Sequence, residues 1–214
     1  MNCADQYNEE YFNEGVQKRI SLYQNYSWLP EISLALAFRI IELMKIQDTE
    51  TILDHGCAHG FVVKALRLLY REAYGVDIST YAVEHAPEEV KQYIYLVQPK
   101  NHIPCYTQKG YYDVLLSRDV FEHIPYEDLQ IELHHIREVC KRAFVVVPLA
   151  ENGRYVIPSA ELDITHIIRE DAFWWLQQFR QANFIVKDSS FWKYGIKTPN
   201  YEKYKTGYLF AFLE

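Results

Sequence analysis

Apolar and polar positions follow two rhythms along this chain. Between Pro30 and Met44 the residues Leu36, Ile40 and Leu43 recur at helical spacing, and Pro30 suits a first helical turn. Thr51-Ile52-Leu53 reads as a short buried strand. After Gly60, the residues Val62, Ala65, Leu66 and Leu69 recur at i, i+3, i+4 and i+7, which predicts a helix with one apolar face. Ala73 to Asp77 reads as a second strand that ends in an acid, and Ser79 is placed to cap the helix begun by Thr80 and Tyr81. Tyr93 to Val97 and Tyr112 to Ser117 read as a third and a fourth strand. Pro125 opens a further helix, with Glu127 and Asp128 near its positive end and an apolar stripe of Leu129, Leu133, Ile136 and Cys140. Ala143 to Val147 (AFVVV) has the composition of a strand buried on both faces. This alternation predicts an α/β sheet with helices on both sides.

The ends of the chain are less regular. Glu170 and Asp171 open a helix carrying Trp174, Trp175 and Phe179, and Phe184 to Lys187 and Tyr208 to Leu213 read as the last two strands. Between those strands lies a long loop, Asp188 to Thr206, which includes Phe191, Trp192, Tyr194 and Tyr201. Loops of that length usually carry a function or no fixed structure. Such a loop could be a lid over a bound molecule or a contact between subunits of a homodimer. At the other end, Tyr7, Tyr11, Phe12, Tyr23, Tyr26 and Trp28 make an aromatic arm over residues 1–29. Residues 30–214 are expected to form a single domain, since 214 residues suffice for one sizeable core.

Charge narrows the functional classes. The formal net charge is -7, which argues against a general nucleic-acid binder, because such a surface needs basic residues to displace counterions. No apolar run is long enough to cross a bilayer, so no membrane association is expected. The N-terminal segment MNCADQYNEEYFNEG is polar and acidic, unlike a signal peptide. Cys3, Cys57, Cys105 and Cys140 lack paired spacing and read as free thiols in a reducing cytoplasm.

The candidate chemistry centres on ILDHGCAHGF, Ile52 to Phe61. A strand, a loop of small residues and a helix make the first half of a βαβ unit, and ligands of open α/β sheets sit beyond the carboxyl ends of the strands. Gly56, Ala58 and Gly60 allow close approach to the backbone, and the helix start offers free N–H groups. Asp77, at the end of the next strand, could accept hydrogen bonds from two ribose hydroxyls. The spacing G-x-A-x-G, with Asp54 two residues ahead, differs from the G-x-G-x-x-G of dinucleotide sites and speaks against an NAD-dependent oxidoreductase.

DHGCAHG, YGVDIS, YYDVLLSRDVFEHIP and RAFVVVPL together resemble, in order and spacing, the motifs of class I S-adenosylmethionine-dependent methyltransferases of the small-molecule branch. The resemblance runs from about residue 30 to the C-terminus. It implies a Rossmann-like seven-stranded sheet in order 3-2-1-4-5-7-6 with the last strand antiparallel. It also implies that Asp54, Gly56, Cys57, Ala58 and Gly60 lie at the methionine part of the cofactor. Asp77 and Ile78 would hold the ribose, Val97 and Gln98 would flank the adenine, and Ser117 and Arg118 would lie near the methionine moiety. The family often has an Asp near the Gln98 position. The implied reaction moves a methyl group from S-adenosyl-L-methionine to an oxygen or nitrogen of a small acceptor (a metabolite, a saccharide or a natural-product precursor), leaving S-adenosyl-L-homocysteine. A methyltransferase-like partner subunit without catalysis is the non-enzymatic alternative.

On the acceptor side the residues leave alternatives open. His123 could be a general base, or it could brace its loop with Glu122. His166, in LDITHII after the fifth strand, is an alternative base, or else an exposed neighbour of a turn capped by Thr165. No metal-binding residues are assigned: His55, Cys57 and His59 would be too cramped in one loop to share an ion.

Overall fold

The computed structural model describes residues 3–197 and 202–214, so Tyr201 of the aromatic loop lies outside the described residues. The strands are β1 (Thr51–His55), β2 (Glu72–Asp77), β3 (Ile94–Leu96), β4 (Tyr112–Arg118), β5 (Cys140–Pro148), β6 (Ala150–Glu151), β7 (Arg154–Tyr155), β8 (Val186–Ser190) and β9 (Tyr208–Leu213), and the α-helices in chain order are α1 (Glu9–Asn13), α2 (Gly15–Lys18), α3 (Pro30–Met44), α4 (Phe61–Leu68), α5 (Thr80–Glu84), α6 (Glu88–Lys91), α7 (Tyr126–Val139) and α8 (Ala172–Gln181). All but β6 and β7, which pair as a small hairpin, form a seven-stranded sheet in order β3-β2-β1-β4-β5-β9-β8. Counted within the sheet alone, this is the order 3-2-1-4-5-7-6. The last strand, β9, runs antiparallel to both of its neighbours, and the other pairs are parallel.

The central strands are apolar because both of their faces are covered. On one face α7 (Tyr126–Val139) and α8 (Ala172–Gln181) bring Leu129, Leu133, Trp175 and Phe179 onto Leu115, Val145 and Leu209. On the other, α3 (Pro30–Met44) and α4 (Phe61–Leu68) bring Leu36, Ile40 and Leu66 onto Ile52, Leu116 and Val146. Pro30 begins α3 and the Asp171 side chain caps α8 by accepting from the Trp174 N–H, so both starts follow their sequence signals.

Several boundaries differ from the expectation: β1 runs on to His55, β2 begins at Glu72, β4 ends at Arg118 and β5 ends at Pro148. Cys140 leaves the helical stripe and begins β5 in extended conformation, although it stays buried in the same core. The third strand is shorter by a residue at each end. The strand expected at Phe184–Lys187 runs instead from Val186 to Ser190, so the following loop is shorter. Phe184 is held back by its N–H bond to the Phe179 carbonyl, 3.0 Å, and packs under α8. The strand itself is polar because it forms the sheet's edge, where one side meets water and charged residues discourage further pairing.

The opposite ends of the strands are tied by Asp113. Its carboxylate accepts from the Thr51 N–H (2.9 Å) and hydroxyl (3.0 Å), and from Lys109 (2.7 Å) and Lys141 (2.8 Å). Burial alone would raise its pKa, but these donors outweigh it and hold the carboxyl well below its usual range. No helix among the described residues is long and apolar enough to cross a membrane.

Candidate functional site

The loop after β1 is stitched to the end of β2. The N–H groups of Gly56 and Cys57 both reach the Val76 carbonyl, at 2.9 and 3.1 Å. The turn needs left-handed backbone at Gly56 (φ 71°), Ala58 (φ 49°) and Gly60 (φ 72°). A Cβ at Gly56 would sit 2.4 Å from a Val120 methyl, so this position requires glycine for space as well as conformation. Ala58 adopts the same region with a side chain, and a bond from its N–H to Asp77 Oδ2 (2.7 Å) holds it there. Asp77 Oδ1 accepts from the Ser79 N–H at 2.8 Å. A carboxylate has about four acceptor directions, so Asp77 retains capacity for a ligand. Burial pushes its pKa up, against the opposing pull of the Ser79 and Ala58 amides.

A cavity opens beside this loop. Gly56, Ala58, Asp77, Ile78, Val97 and Gln98 line it, as does His123 at the far side. The other expected residues lie around it. Asp54 is buried beneath, its pKa pushed up to about 7 by burial. Cys57 packs under Gly75, Gly60 starts α4, Ser117 bonds His55, and Arg118 acts on Asp54 through its charge. His55 and His59 turn away from each other. His55 lies between Ser117 (3.2 Å) and Glu132 (2.9 Å), whereas His59 sits among the rings of Phe12, Tyr26, Phe61 and Tyr81. Burial lowers the His59 pKa to about 4.

The aromatic arm carries two short helices, α1 (Glu9–Asn13) and α2 (Gly15–Lys18), and its residues Tyr7, Tyr11, Phe12 and Tyr23 form part of the cavity wall. It is moored on both sides. Ser79 Oγ donates to the Tyr7 carbonyl (2.5 Å) and Asn13 to Tyr81 (2.9 Å), while the Tyr11 hydroxyl donates to Asp163 (2.8 Å). The described parts of the aromatic loop beyond the strand, residues 191–197 and 202–206, stay off the cavity wall, though Lys197 pairs with the lining residue Asp119 at 2.5 Å.

At the far side, His123 Nδ1 lies 2.8 Å from Thr165 Oγ1, and Thr165 donates in turn to Asp163 at 2.6 Å. Thr165 thus links to His123 in place of a simple cap, and His166, outside the wall, is buried with its ring 4.6 Å from that of His123. Burial and then the neighbouring His166 lower the His123 pKa to about 4, so its ring is neutral at pH 7. Glu122 is wholly buried beside them, and burial followed by the Asp119 charge raises its pKa well above the carboxylate range. Glu132, Lys100 and Asp128 also line the cavity and were not foreseen; Glu132 is one turn along α7 from Leu129, on the inward side of the helix, which is the one available signal.

The family model described as "Methyltransferase domain" matches residues 26–189. The chain belongs to this family. Its cofactor is accordingly S-adenosylmethionine, and it is a methyltransferase. A search of curated proteins finds no match. Among solved structures, a putative methyltransferase in complex with the Trm112 activator of Haloferax volcanii is 16% identical, with a TM-score of 0.66 over 86% of this chain and 90% of that one. Magnesium protoporphyrin IX methyltransferase from Synechocystis PCC 6803, with bound S-adenosylhomocysteine, is 14% identical, with a TM-score of 0.62 over 98% and 92%. The 1,6-didemethyltoxoflavin-N1-methyltransferase of Burkholderia thailandensis is 14% identical, with a TM-score of 0.61 over 85% and 77%. At these identities the likeness is one of fold. The cavity suits the family's cofactor: a glycine turn that tolerates no Cβ at Gly56, a carboxylate with spare acceptor capacity, and an apolar wall at Val97 and Ile78.

Proposed function

We propose that this methyltransferase acts on an oxygen or nitrogen of a small molecule, with residues 30–214 as its catalytic domain and residues 1–29 as a covering arm. The observation that carries the reading is the arm itself. Tyr7, Tyr11, Phe12 and Tyr23 wall the cavity, which favours a metabolite-sized acceptor over a macromolecule that needs an open groove. The net charge of -7 supports the same choice over a nucleic acid. Asp77 and Ile78 would hold the ribose, Val97 and Gln98 the adenine, and Gly56 and Ala58 the methionine part.

The sulfonium supplies an activated methyl group when bound, so the protein's task is alignment, exclusion of water and removal of a proton. His123 lines the cavity, and its Nδ1 is engaged by Thr165, which leaves Nε2 as the proton acceptor. His166 supports it from behind. Free thiols at Cys57, Cys105 and Cys140 agree with a cytoplasmic setting.

Calorimetry with S-adenosylhomocysteine tests the cofactor site, and micromolar binding is expected. An absence of heat at high micromolar ligand would sink it. A metabolite screen with methyl-labelled cofactor tests the acceptor class: label in a small molecule supports it. Intact cofactor binding with label found only in RNA or protein, or in nothing, refutes it.

A further inference from the structure

Methyl transfer does not explain the state of Glu122. Glu122 is fully buried, yet neither carboxylate oxygen has a hydrogen-bond partner among the described residues. Its backbone carbonyl accepts from the N–H groups of Ile167 (2.7 Å) and Ile168 (2.9 Å), so the residue is anchored where it stands. The nearest cationic candidate, His166 Nε2, is 3.9 Å from Oε1, too far for a hydrogen bond. A buried carboxyl without a donor is either held protonated or balanced by a positive companion, and a bound cation would be such a companion.

The two neighbouring imidazoles are oriented to provide a place for one. His166 Nδ1 is 2.8 Å from the Ala160 carbonyl, which can only accept, so Nδ1 carries the hydrogen and Nε2 keeps a lone pair. Thr165 Oγ gives its own hydrogen to Asp163, so it accepts from His123 Nδ1–H, and His123 Nε2 also keeps a lone pair. Fixing a ring through Nδ1–H and presenting Nε2 is the outer-shell arrangement of metal-ligating histidines. One ligand atom from each of Glu122, His123 and His166 lies within 4.8 Å of the others. Bonds of about 2.0–2.2 Å to a common ion would put such atoms ~3.4 Å apart, a contraction that side-chain movement can supply. Asp119 stands nearby but is already paired with Lys197.

We propose that Glu122, His123 and His166 form a binding site for a first-row divalent transition ion. Two imidazoles with one carboxylate suit Zn²⁺, Co²⁺, Fe²⁺ or Mn²⁺ better than the all-oxygen preference of Ca²⁺ or Mg²⁺. Three protein ligands leave at least one position open, and of the three His123 also lines the cavity. With an ion bound, both Nε2 lone pairs are committed to it. His123 would then no longer be free to take a proton, and the ion would supply acidification of an acceptor oxygen instead, with the proton released to solvent. That consequence rests on the methyl-transfer reading above; ion binding does not.

The test uses the full chain, stripped with chelator and titrated with Co²⁺. One equivalent is expected to bind, with a visible d–d absorption band and a rise in Tm. Glu122→Gln and His166→Gln should each weaken binding by at least a hundredfold, with circular dichroism of the ion-free variants confirming their fold. If either variant fails to fold, the wild-type d–d band and its displacement by Zn²⁺ still decide the question. No band and no Tm shift in the wild type, or equal binding by folded variants, overturns the proposal. Calorimetry with S-adenosylhomocysteine on the same preparations reports on the cofactor site separately.

Discussion

The near and far sides of the cavity are built from different materials. The near side is backbone: left-handed turns at Gly56 and Gly60, amides aimed at Val76 and Asp77, and one carboxylate that organises them. The far side is side chains: His123, Thr165, Asp163 and Tyr11 in one hydrogen-bonded chain, with Glu122 and His166 beside it. A backbone site depends on local conformation and tolerates little change of shape. A side-chain site depends on chemistry gathered from separate elements, and it can change its reaction without changing the fold.

The sharpest way to break this contrast is at Gly56. Gly56→Ala meets Val120 and adds left-handed strain, and we expect a loss of about 2–4 kcal/mol in urea unfolding. Gly110 has a similar φ of 75° but open space around it, so Gly110→Ala should lose only about 1 kcal/mol. Equal losses at the two positions would mean that the near side yields as easily as an ordinary turn.

Asp77→Asn comes next, because it keeps the shape and removes the charge. Binding of S-adenosylhomocysteine, measured by calorimetry, should weaken by about 1.5–3 kcal/mol. An unchanged affinity would place the ribose elsewhere.

The smallest effect is expected at Asp113, far from both sides. Asp113→Asn should cost about 1–2 kcal/mol of stability at pH 7, since its lysine partners are partly exposed and screened, and cofactor affinity should not move. The folded-state pKa is depressed, so this contribution is present above the ordinary carboxylate range near pH 4 and is lost as pH falls through the folded value. Wild type and variant should therefore converge in stability on acidification. A gap that persists at low pH would mean that packing, rather than charge, holds this corner.

The same contrast explains what could be read from the chain. The near side was legible because its signals are local: small residues at fixed spacing after an apolar strand, and an acid at the end of the next. The sheet order came with that motif set, and the apolar runs around Val145 and Leu115 marked the central strands. The far side was legible only in part. His123 and His166 could be named as candidates, but nothing in DVFEHIP says that Glu122 is buried without a donor. Nor does spacing show that Thr165, 42 residues away, orients His123, or that Tyr11 reaches Asp163 across 152 residues. The edge strand at Val186 was misplaced because its polar pattern reflects an exposed edge, whereas Phe184 beside it packs under a helix.

The two moorings of the arm have a kinetic consequence. Ser79, next to Asp77, grips Tyr7, and Asp163, next to the histidines, grips Tyr11. If the arm acts as the proposed cover, it would guard both compartments as a flap, and product would leave only once it lifts. Turnover would then be timed by an exit instead of by bond-making, and a burst of product in the first cycle is the expected sign. Tyr11→Phe releases one mooring and should raise the steady-state rate while shrinking the burst. A slower steady state with no burst in either protein would show that the flap keeps no such clock.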